Sequence, residues 1–210
     1  MASIEKINGF WVPSNDIHVE QWKSGRAFTQ NKCLLKFLNY CTKQNKKFKT
    51  VIDVGAWCGT WAKAIEPFAK KVIAFEPDPL HFECLEKNCT INCSPRMEAV
   101  GDTEQFISLT DDQFTQAKRV VGQGKIRMVA LDDLQIENVD LIKIDVEGYE
   151  MQVLKGAEKL LQTTNYIMIE LNNNTKKYGS SNADVERHLR TLGYKELMSH
   201  WPDKVYYRAN

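Results

Sequence analysis

The feature that most constrains this chain is a glycine-containing turn placed directly after a buried strand pattern. The apolar run 51–54 ends in the turn GAWCG at 55–59, and a helical pattern starts at Thr60. The next apolar run, 72–75, ends on Glu76, about twenty residues beyond the first glycine. Doubly wound sheets bind nucleosides with this combination of turn, helix N-terminus and strand-tip carboxylate. The sequence therefore predicts an α/β sheet with a nucleoside pocket at one edge.

The composition of the turn distinguishes two kinds of nucleoside ligand. A dinucleotide fingerprint, GxGxxG, lets a pyrophosphate approach the helix N-terminus, but Trp57 stands where that fingerprint requires glycine. Asp53 is unfavourable beside a pyrophosphate and favourable beside a ligand that carries an ammonium and a sulfonium group. S-adenosylmethionine is such a ligand, and Glu76 would bind its ribose hydroxyls. The alternative for Glu76 is a strand-end carboxylate that caps the following helix.

The residues expected to contact this cofactor lie in the turn and at the tips of the neighbouring strands. They are Asp53, Gly55, Ala56, Trp57, Gly59, Thr60, Glu76, Pro77, Ala99, Val100 and Asp145. Gly55 lets the backbone approach the ligand, and Gly59 and Thr60 begin a helix whose N–H groups face the pocket. Ala99 and Val100 end the third predicted strand, where an adenine ring would lie. The alternative for these two is an ordinary core position.

A second group of functional residues lies in the charged strand pattern DLIKIDVEGYE at 140–150. In an extended strand, Lys143, Asp145 and Glu147 share one face, and three charges on a central strand are costly unless they are paired or used. The carboxyl ends of such strands line the ligand crevice, and Glu170 ends the next strand at the same edge. Two alternatives are a salt bridge that only balances the strand, from Lys143 to Glu170 or Asp145, and a divalent cation held by two carboxylates.

The predicted catalytic group is Asp145, Glu147, Lys143, Glu170 and His18. Asp145 is expected nearest the reacting centre, and the other strand residues would fix its charge and orientation. His18 lies in a polar segment of the N-terminal arm and is a candidate general base, because imidazole titrates near neutral pH. The alternative for His18 is an ordinary surface position.

The cysteine pattern favours reduced thiols in a cytoplasmic protein. The six cysteines show no paired framework, and several fall in helical patterns. His81, Cys84, Cys89 and Cys93 could chelate zinc, but their spacing lacks a CxxC knuckle, so we predict no metal. No apolar run reaches the roughly 18 residues that a membrane span needs, and the N-terminus lacks a signal-peptide pattern. We therefore expect a soluble, unprocessed chain.

Strand and helix patterns alternate from about residue 51 to about residue 190, which predicts one continuous α/β unit. The predicted strands are 50–54, 71–75, 96–100, 105–109, 127–130, 141–146 and 166–171. The predicted helices are 60–68, 80–88, 149–161 and 184–192. Several strands are apolar without strict alternation, as in a parallel sheet buried on both faces. The tail at 193–208 has a hairpin pattern, so the sheet should end in an antiparallel pair.

The chain divides into two regions of one compact unit. Residues 1–49 are expected to form an arm and a helix packed on the core, and residues 50–210 form the S-adenosylmethionine-binding domain. Helical spacing covers 28–41, whereas the segment before it suggests an ordered irregular arm. The acceptor that binds beside S-adenosylmethionine is expected to be recognised by the arm, the insertion 111–125 and the loop 172–181.

Several segments of the chain, in order, resemble the FkbM-type S-adenosylmethionine-dependent methyltransferases. They are VIDVGAWCGTW, VIAFEPDPLHFECLEKN, EAVGD, LDDL, LIKIDVEGYEMQVLKGA and YIMIEL. The resemblance covers roughly residues 51–171. It implies an α/β class I methyltransferase fold, a Rossmann-like three-layer sandwich with a mostly parallel seven-stranded sheet that ends in an antiparallel hairpin. It also implies methyl transfer to a hydroxyl of a sugar, glycan or natural product. Trp57 departs from the family, which often has a small polar or imidazole side chain there.

Two other functions remain open for the sequence: a NAD-dependent oxidoreductase and a non-catalytic module that binds a nucleoside or S-adenosylmethionine. The presence of Lys143, Asp145 and Glu147 disfavours the non-catalytic module. Three charges on a central strand cost free energy of folding, and a protein that only binds a ligand gains nothing from them. The net charge of +1 and the absence of an NPPY motif disfavour a nucleic-acid methyltransferase. The expected partner is therefore a small-molecule or glycan acceptor.

Overall fold

The computed structural model describes residues 3–25, 31–110 and 118–208. In chain order, its strands are β1 (Ile4–Ile7), β2 (Phe10–Pro13), β3 (Phe48–Val54), β4 (Ala69–Phe75), β5 (Cys93–Arg96), β6 (Ala99–Val100), β7 (Gln105–Leu109), β8 (Val120–Val129), β9 (Val139–Ile144), β10 (Tyr166–Glu170), β11 (Tyr194–His200) and β12 (Asp203–Arg208). Its α-helices are α1 (Val19–Lys23), α2 (Lys32–Lys43), α3 (Thr60–Ile65), α4 (Pro79–Asn88), α5 (Glu150–Lys155), α6 (Glu158–Leu161) and α7 (Asn182–Thr191). Short 3₁₀ helices cover Glu66–Phe68, Leu131–Asp133 and Asn174–Tyr178.

The main sheet has seven strands in the order β11-β12-β10-β9-β3-β4-β5. β12 runs antiparallel to both of its neighbours, and the remaining pairs are parallel. The predicted mostly parallel sheet with an antiparallel end is thus confirmed. The chain leaves β3 toward β5 on one side and later fills β9 and β10 on the other. The crevice of a doubly wound sheet opens at such a reversal, beyond the carboxyl ends of β3 and β9.

Helices cover both faces of the sheet, which explains why its strands are apolar without strict alternation. Val51 packs with residues of α2, α3 and α4, including Leu34 and Trp61. Its neighbour Ile52 points to the opposite face and packs with residues of α5 and α7, including Leu154. Successive residues of one strand therefore serve two separate cores, and the molecule has three layers.

Side-chain caps fix the starts of the helices that flank the crevice. Asn31 accepts a hydrogen bond from the Leu34 N–H at 2.8 Å at the start of α2. Ser181 and Asp184 form a reciprocal capping box at the start of α7. Each cap satisfies N–H groups that have no partner inside the helix and contributes about 1 kcal/mol. Helical spacing predicted a helix over 28–41, and α2 covers Lys32–Lys43 in the structure. Residues 28–30 lie outside the described residues.

The predicted single helix 149–161 is wrong, because the structure divides it into α5 and α6. Gly156 stands at the break, and a Cβ atom there would lie 1.9 Å from the Gly101 carbonyl oxygen. Only glycine permits this close approach of two backbone segments. The close packing of the helix on the loop after β6 therefore decides where α5 ends.

The third strand of the main sheet also differs from the prediction. β5 ends at Arg96, and Ala99–Val100 pairs with β8 in a separate three-stranded sheet of order β6-β8-β7. The predicted single strand 96–100 is therefore wrong: Arg96 ends a strand of the main sheet, and Ala99–Val100 lies in the three-stranded sheet. β5 is an edge strand that contains Pro95, so its sequence lacks the apolar pattern of a central strand. Of the predicted insertion 111–125, residues 111–117 lie outside the described residues, and most of the remainder is in β8.

The N-terminal arm is regular, contrary to the expected irregular segment. β1 and β2 form an antiparallel hairpin joined by Asn8 and Gly9, which have φ values of 48° and 86°. The Asn88 amide at the end of α4 donates to the carbonyl oxygens of Trp11 and Cys58, both at 2.8 Å, and its oxygen accepts the Trp11 N–H at 2.8 Å. One side chain thus joins the arm to the glycine turn.

The cysteines differ in part from the expected unpaired thiols. Cys89 and Cys93 are paired in a disulfide across the loop between α4 and β5, whereas Cys33, Cys41, Cys58 and Cys84 are free and buried. Within the part of the chain that the structure describes, every helix is too short or too polar to span a bilayer.

Candidate functional site

A pocket of about 440 Å³ opens beyond the carboxyl ends of the central strands. Among the predicted site residues, those that line it are His18, Gly55, Ala56, Trp57, Thr60, Glu76, Pro77, Ala99, Val100, Lys143, Asp145, Glu147 and Glu170. Its volume is in the range of small-molecule sites. The structure therefore brings residues from the arm, the glycine turn and the charged strand into one cavity.

The glycine turn is fixed between the ends of β4 and β9. Gly55 has a φ of +74°, and a Cβ atom on it would lie 1.8 Å from the Asp145 carbonyl oxygen. The N–H groups of Gly55 and Ala56 donate to the Phe75 carbonyl oxygen at 3.0 and 2.9 Å. Glycine is required here because the turn approaches the loop after β9 more closely than any side chain permits.

Glu76 lies at the tip of β4 with 6% of its surface exposed. Its Oε2 accepts the Trp57 N–H at 2.8 Å, and its Oε1 accepts the Asp78 N–H at 2.9 Å. The cap of α4 is Asp78, whose Oδ1 accepts the N–H groups of Leu80 and His81 at 3.0 Å. The alternative role of Glu76 as a helix cap is therefore wrong. Each carboxylate oxygen has two lone pairs, so Glu76 retains acceptor capacity for ligand hydroxyls.

Asp53 and Gly59 are predicted contact residues that do not line the pocket. Asp53 is 0% exposed and is the register partner of Lys143 on β9, whose Nζ lies 3.1 Å from its Oδ1. Gly59 packs against α4, where a Cβ atom would lie 2.8 Å from Leu85 Cδ1. Asp53 therefore contacts the pocket-lining residue Lys143 but does not itself line the pocket.

Lys143 is the buried cation of the site. Its Nζ donates to the Gly55 carbonyl oxygen at 2.6 Å and lies 3.4 Å from Asp145 Oδ2. Burial alone would lower the pKa of Lys143, but the carboxylates of Asp53 and Asp145 outweigh burial and raise it. Of the predicted salt bridges, the one to Asp145 is present, and a second joins Lys143 to Asp53. The ammonium group thus joins the glycine turn to Asp145, in the segment that follows β9.

Asp145 and Glu170 form a carboxyl pair at this edge. Burial and the charge of Asp145 raise the pKa of Glu170 to about 10. Burial would raise the pKa of Asp145 as well, but the Lys143 ammonium and a hydrogen bond from Glu170 hold it below its ordinary value. At neutral pH, the pair is one carboxylate and one carboxylic acid, since two adjacent carboxylates cannot both ionise easily.

Glu147 forms the third side of the acidic edge. It follows β9 with a φ of +55°, and its Oε2 accepts the amide N–H groups of Asn172 and Asn174 at 3.2 and 2.9 Å. A side chain in this backbone region is strained, and such strain is concentrated at functional sites. One ligand atom from each of Asp145, Glu147 and Glu170 lies within 4.8 Å of the others, which is a spacing that a metal ion could use. Among the described residues, the cluster of His81 with cysteines does not form such a group.

The arm contributes His18 and Trp22 to the pocket lining, beside the glycine turn. His18 lies with its Nδ1 3.2 Å from Asp16 Oδ1, and the ring centroids of His18 and Trp22 are 5.6 Å apart. The Trp22 ring in turn lies 5.7 Å from that of Trp57. His18 therefore belongs to the pocket lining rather than to the open surface.

Sequence reasoning missed several other lining residues, including Asn31, His81, Glu98, Lys118 and Tyr149. For His81 a signal was readable: Asp78 followed by Pro79 predicts a helix start, which places His81 in the first turn of α4. Glu98 carries no such signal, because its arginine partners Arg96 and Arg127 come from different strands. Lys118 lines the pocket from the chain that enters β8 and pairs with Asp78 at 2.5 Å.

Comparison with known proteins identifies the family of this site. The family model described as the methyltransferase FkbM domain matches residues 53–196, which is more than half of the chain. The chain belongs to the FkbM methyltransferase family. The match covers the glycine turn, Glu76 and the acidic edge of the pocket.

One curated relative of this FkbM protein is the hexuronic acid methyltransferase AglP of Haloferax volcanii. It is 29% identical over an alignment of 130 positions that covers 57% of this chain and 54% of AglP. The chain therefore matches about half the length of that relative.

Solved structures support the fold. An FkbM methyltransferase from Methylobacillus flagellatus KT has a TM-score of 0.57 at 17% identity, over 76% of this chain and 43% of that one. The N-methyltransferase NodS from Bradyrhizobium japonicum WM9, in complex with S-adenosyl-L-homocysteine, has a TM-score of 0.51 at 12% identity, over 90% and 92%. The FkbM domain described here has the class I methyltransferase fold.

We expect Glu150 to make the stability of this FkbM domain depend on pH. It is 1% exposed, and its Oε1 accepts the Gly148 N–H at 2.9 Å. Burial raises the pKa of Glu150 to about 7. The unfolded chain releases this proton near pH 4.5 and the folded chain near pH 7, so stability falls as the pH rises through that window. Between pH 5 and pH 8, the free energy of unfolding of the wild type should fall by about 2 kcal/mol more than that of Glu150→Gln.

Urea unfolding of the wild type and E150Q at both pH values measures the difference. The matched control is Glu158→Gln, an exposed glutamate of the neighbouring helix α6. If the wild type and E150Q show the same pH dependence, Glu150 does not retain its proton in the folded state.

Proposed function

We propose that this FkbM-family protein is an S-adenosylmethionine-dependent O-methyltransferase that acts on a hydroxyl of a sugar, glycan or related small molecule. The observation that carries the proposal is the joining of two different surfaces in one pocket. The glycine turn and Glu76 form one side, and the acidic edge of Asp145, Glu147 and Glu170 forms the other. The first suits a nucleoside, and the second suits a molecule with several hydroxyl groups.

The turn side fits S-adenosylmethionine. Glu76 retains lone pairs for two ribose hydroxyls, and Ala99 and Val100 supply an apolar wall for the adenine. Gly55 and Ala56 bring the backbone close to the methionine part, and Asp145 places a negative charge beside its ammonium and sulfonium groups. When bound, S-adenosylmethionine supplies an electrophilic methyl group.

The acidic edge fits an acceptor that carries neighbouring hydroxyls. Asp145 is an ionised acceptor, and Glu170 beside it is a protonated donor, so the pair accepts from one hydroxyl and donates to another oxygen. Glu147 is held by two asparagine amides and extends the same wall. Residues that hold an acceptor in line with the methyl group provide most of the catalysis that such a displacement needs.

A sugar acceptor is supported by the similarity to AglP, which is named a hexuronic acid methyltransferase. A nucleic acid is disfavoured because the net charge of +1 supplies no general attraction for a polyanionic backbone.

We propose that turnover needs no metal ion, although the three carboxylates have a spacing that one could use. Glu170 carries a proton that it shares with Asp145, and Lys143 already balances part of the negative charge. A divalent cation would have to displace that proton, and the cost of doing so opposes binding.

Transfer of radiolabel from methyl-labelled S-adenosylmethionine to p-nitrophenyl β-D-glucuronide and p-nitrophenyl β-D-glucoside tests the proposal. We expect label in at least one glycoside, stable to mild alkali as an ether is, and undiminished by EDTA. The fully O-methylated glucoside, which has no free sugar hydroxyl, is the matched control. Label that alkali releases as an ester, or no transfer to either glycoside, would contradict the O-directed sugar assignment.

A further inference from the structure

The end of the β7–β8 hairpin contributes a wall to the pocket. Leu109 and Val120, the last residue of β7 and the first of β8, are register partners. Both line the pocket, together with Lys118 from the chain that enters β8. We call residues 108–110 and 118–121 the ribbon tip. Part of the smaller sheet thus reaches the candidate functional site.

Strand pairing gives the ribbon tip little support. Within the part of the chain that the structure describes, β8 has a second partner strand only at Met128 and Val129, which pair with β6. Between that contact and the tip, the register shifts at Ile107, which is the partner of both Ile126 and Gln123. The tip is therefore a two-stranded ribbon beyond a bulge, and an isolated two-stranded hairpin is only marginally stable in water. Its position must depend on contacts with other elements.

Lys118 joins the ribbon tip to the ribose side of the pocket. Its Nζ donates to Asp78 Oδ2 at 2.5 Å, and the two side chains are 24% and 6% exposed. Burial would raise the pKa of Asp78, but the hydrogen bond from Lys118 and the neighbouring His81 lower it, so Asp78 is ionised at neutral pH. The Asp78 N–H donates to Glu76 at 2.9 Å. The tip is thus tied, through Asp78, to the carboxylate assigned to the ribose.

Tyr178 joins the ribbon tip to the acidic edge of the pocket. Its hydroxyl donates to the Val120 carbonyl oxygen at 3.0 Å, and its ring meets that of Tyr149 edge to face at a centroid distance of 4.9 Å. Tyr178 ends a 3₁₀ helix that starts at Asn174, whose amide donates to Glu147 Oε2 at 2.9 Å. The tip is therefore bonded to both sides of the pocket.

The apolar side chains of the ribbon tip lie at the end of the pocket assigned to the adenine. Leu109 and Val120 belong to one apolar cluster with Ala99 and Tyr149, and all four residues line the pocket. An adenine in this place would bury apolar surface against the tip, which favours binding. A displaced tip would leave that surface in water, so the position of the tip should affect how long the cofactor stays bound.

We propose that Lys118 and Tyr178 are positioning residues that hold the ribbon tip against the adenine and so slow the release of the cofactor. This proposal rests on the S-adenosylmethionine site of the proposed function, and it does not depend on which acceptor is methylated. Lys118 acts through its bond to Asp78, and Tyr178 acts through the backbone of Val120. Neither residue touches the reacting atoms in this account.

Stopped-flow dissociation of S-adenosylhomocysteine from Lys118→Met and Tyr178→Phe tests the proposal, with the fluorescence of the tryptophans that line the pocket as the signal. The phenylalanine keeps the ring beside Tyr149 and removes only the hydroxyl that reaches Val120. We expect the dissociation rate constant to rise about tenfold in K118M and at least about threefold in Y178F. The association rate constant should change by less than about twofold.

Matched controls keep the chemistry of each substitution and change its place. Lys125→Met lies at an exposed position of β8, and Tyr207→Phe lies on β12, outside the pocket lining. Both control variants should release S-adenosylhomocysteine at the wild-type rate, because neither side chain holds the ribbon tip.

Two further readouts separate positioning from a merely structural role. The KM for S-adenosylmethionine should rise in K118M and Y178F, whereas the KM for the acceptor should stay nearly constant. Hydrogen exchange at the backbone amides of the ribbon tip should slow when S-adenosylhomocysteine binds to the wild type, and much less in the double variant. Should K118M fail to fold, Y178F and the exchange of the wild type still decide the matter.

The outcomes separate this proposal from the proposed function. Wild-type dissociation rates in both variants would overturn the role of the ribbon tip, even if the Tm of both variants fell. A wild type that binds S-adenosylhomocysteine but methylates no glycoside would contradict the proposed acceptor, and the dissociation rates would still decide the role of the tip. If the wild type binds no S-adenosylhomocysteine, the proposed function fails, and this proposal fails with it.

Discussion

Replacing Asp145 with Asn should reduce kcat by at least about a hundredfold while the affinity for S-adenosylhomocysteine stays within about tenfold. The variant keeps the size of the side chain but removes the charge that accepts a sugar hydroxyl. It also removes the anion that Lys143 and Glu170 face at this edge. In our proposal, Gly55, Ala56 and Glu76 provide most of the cofactor contacts, and Asp145 adds only a charge beside the methionine part. The loss should therefore appear more in turnover than in cofactor binding.

Single-turnover methyl transfer and calorimetry on the same D145N preparation separate the two effects. Asp133→Asn is the matched control, since Asp133 is an exposed carboxylate outside the pocket lining. Undiminished turnover in D145N would remove Asp145 from the mechanism. A large loss of cofactor affinity at unchanged turnover would place it on the cofactor side alone.

Replacing Lys143 with Met should destabilise the fold by about 3–5 kcal/mol. Lys143 is 7% exposed and is paired with Asp53, which is 0% exposed. Without the ammonium, Asp53 must stay ionised without a partner or take up a proton, and both cost free energy. Met fills a similar volume, so little of the loss should come from packing. At about 2–4 °C per kcal/mol for a domain of this size, the fall in Tm should be roughly 10 °C.

The double variant Asp53→Asn with Lys143→Met isolates the charge. It removes both members of the pair, so its Tm should recover much of the loss, as expected when a buried pair is removed whole. Lys155→Met, at an exposed position of α5, is the matched control and should leave Tm nearly unchanged. Equal Tm values for K143M and the wild type would show that the pair does not stabilise the fold.

Local patterns were sufficient to predict the parts of the pocket that lie on single strands. The glycine turn and Glu76 were readable because each follows directly from an apolar strand and its end. The arrangement of Asp53 was not readable. It depends on the register that places Asp53 beside Lys143, and this register follows from strands 85 residues or more apart in sequence being neighbours in the sheet.

The arm shows a signal that was present and overlooked. Asn8 and Gly9 stand between the short segments IEKI at 4–7 and FWVP at 10–13, and an Asn-Gly pair between two strands predicts a two-residue hairpin. The burial of Asp16, whose side chain is 0% exposed, had no such signal, because it depends on how the arm lies in the folded protein. The roles proposed for the site residues remain predictions for the experiments above.

The most direct test of the account is a calorimetric titration of the wild type with S-adenosylhomocysteine and, separately, with NAD⁺. We predict binding of S-adenosylhomocysteine in the micromolar range, no heat with NAD⁺, and a large loss of affinity in Glu76→Ala, in which no carboxylate faces the ribose. Binding of NAD⁺ without binding of S-adenosylhomocysteine would contradict the methyl-donor site. Unchanged affinity in E76A would contradict the ribose assignment on which that site depends.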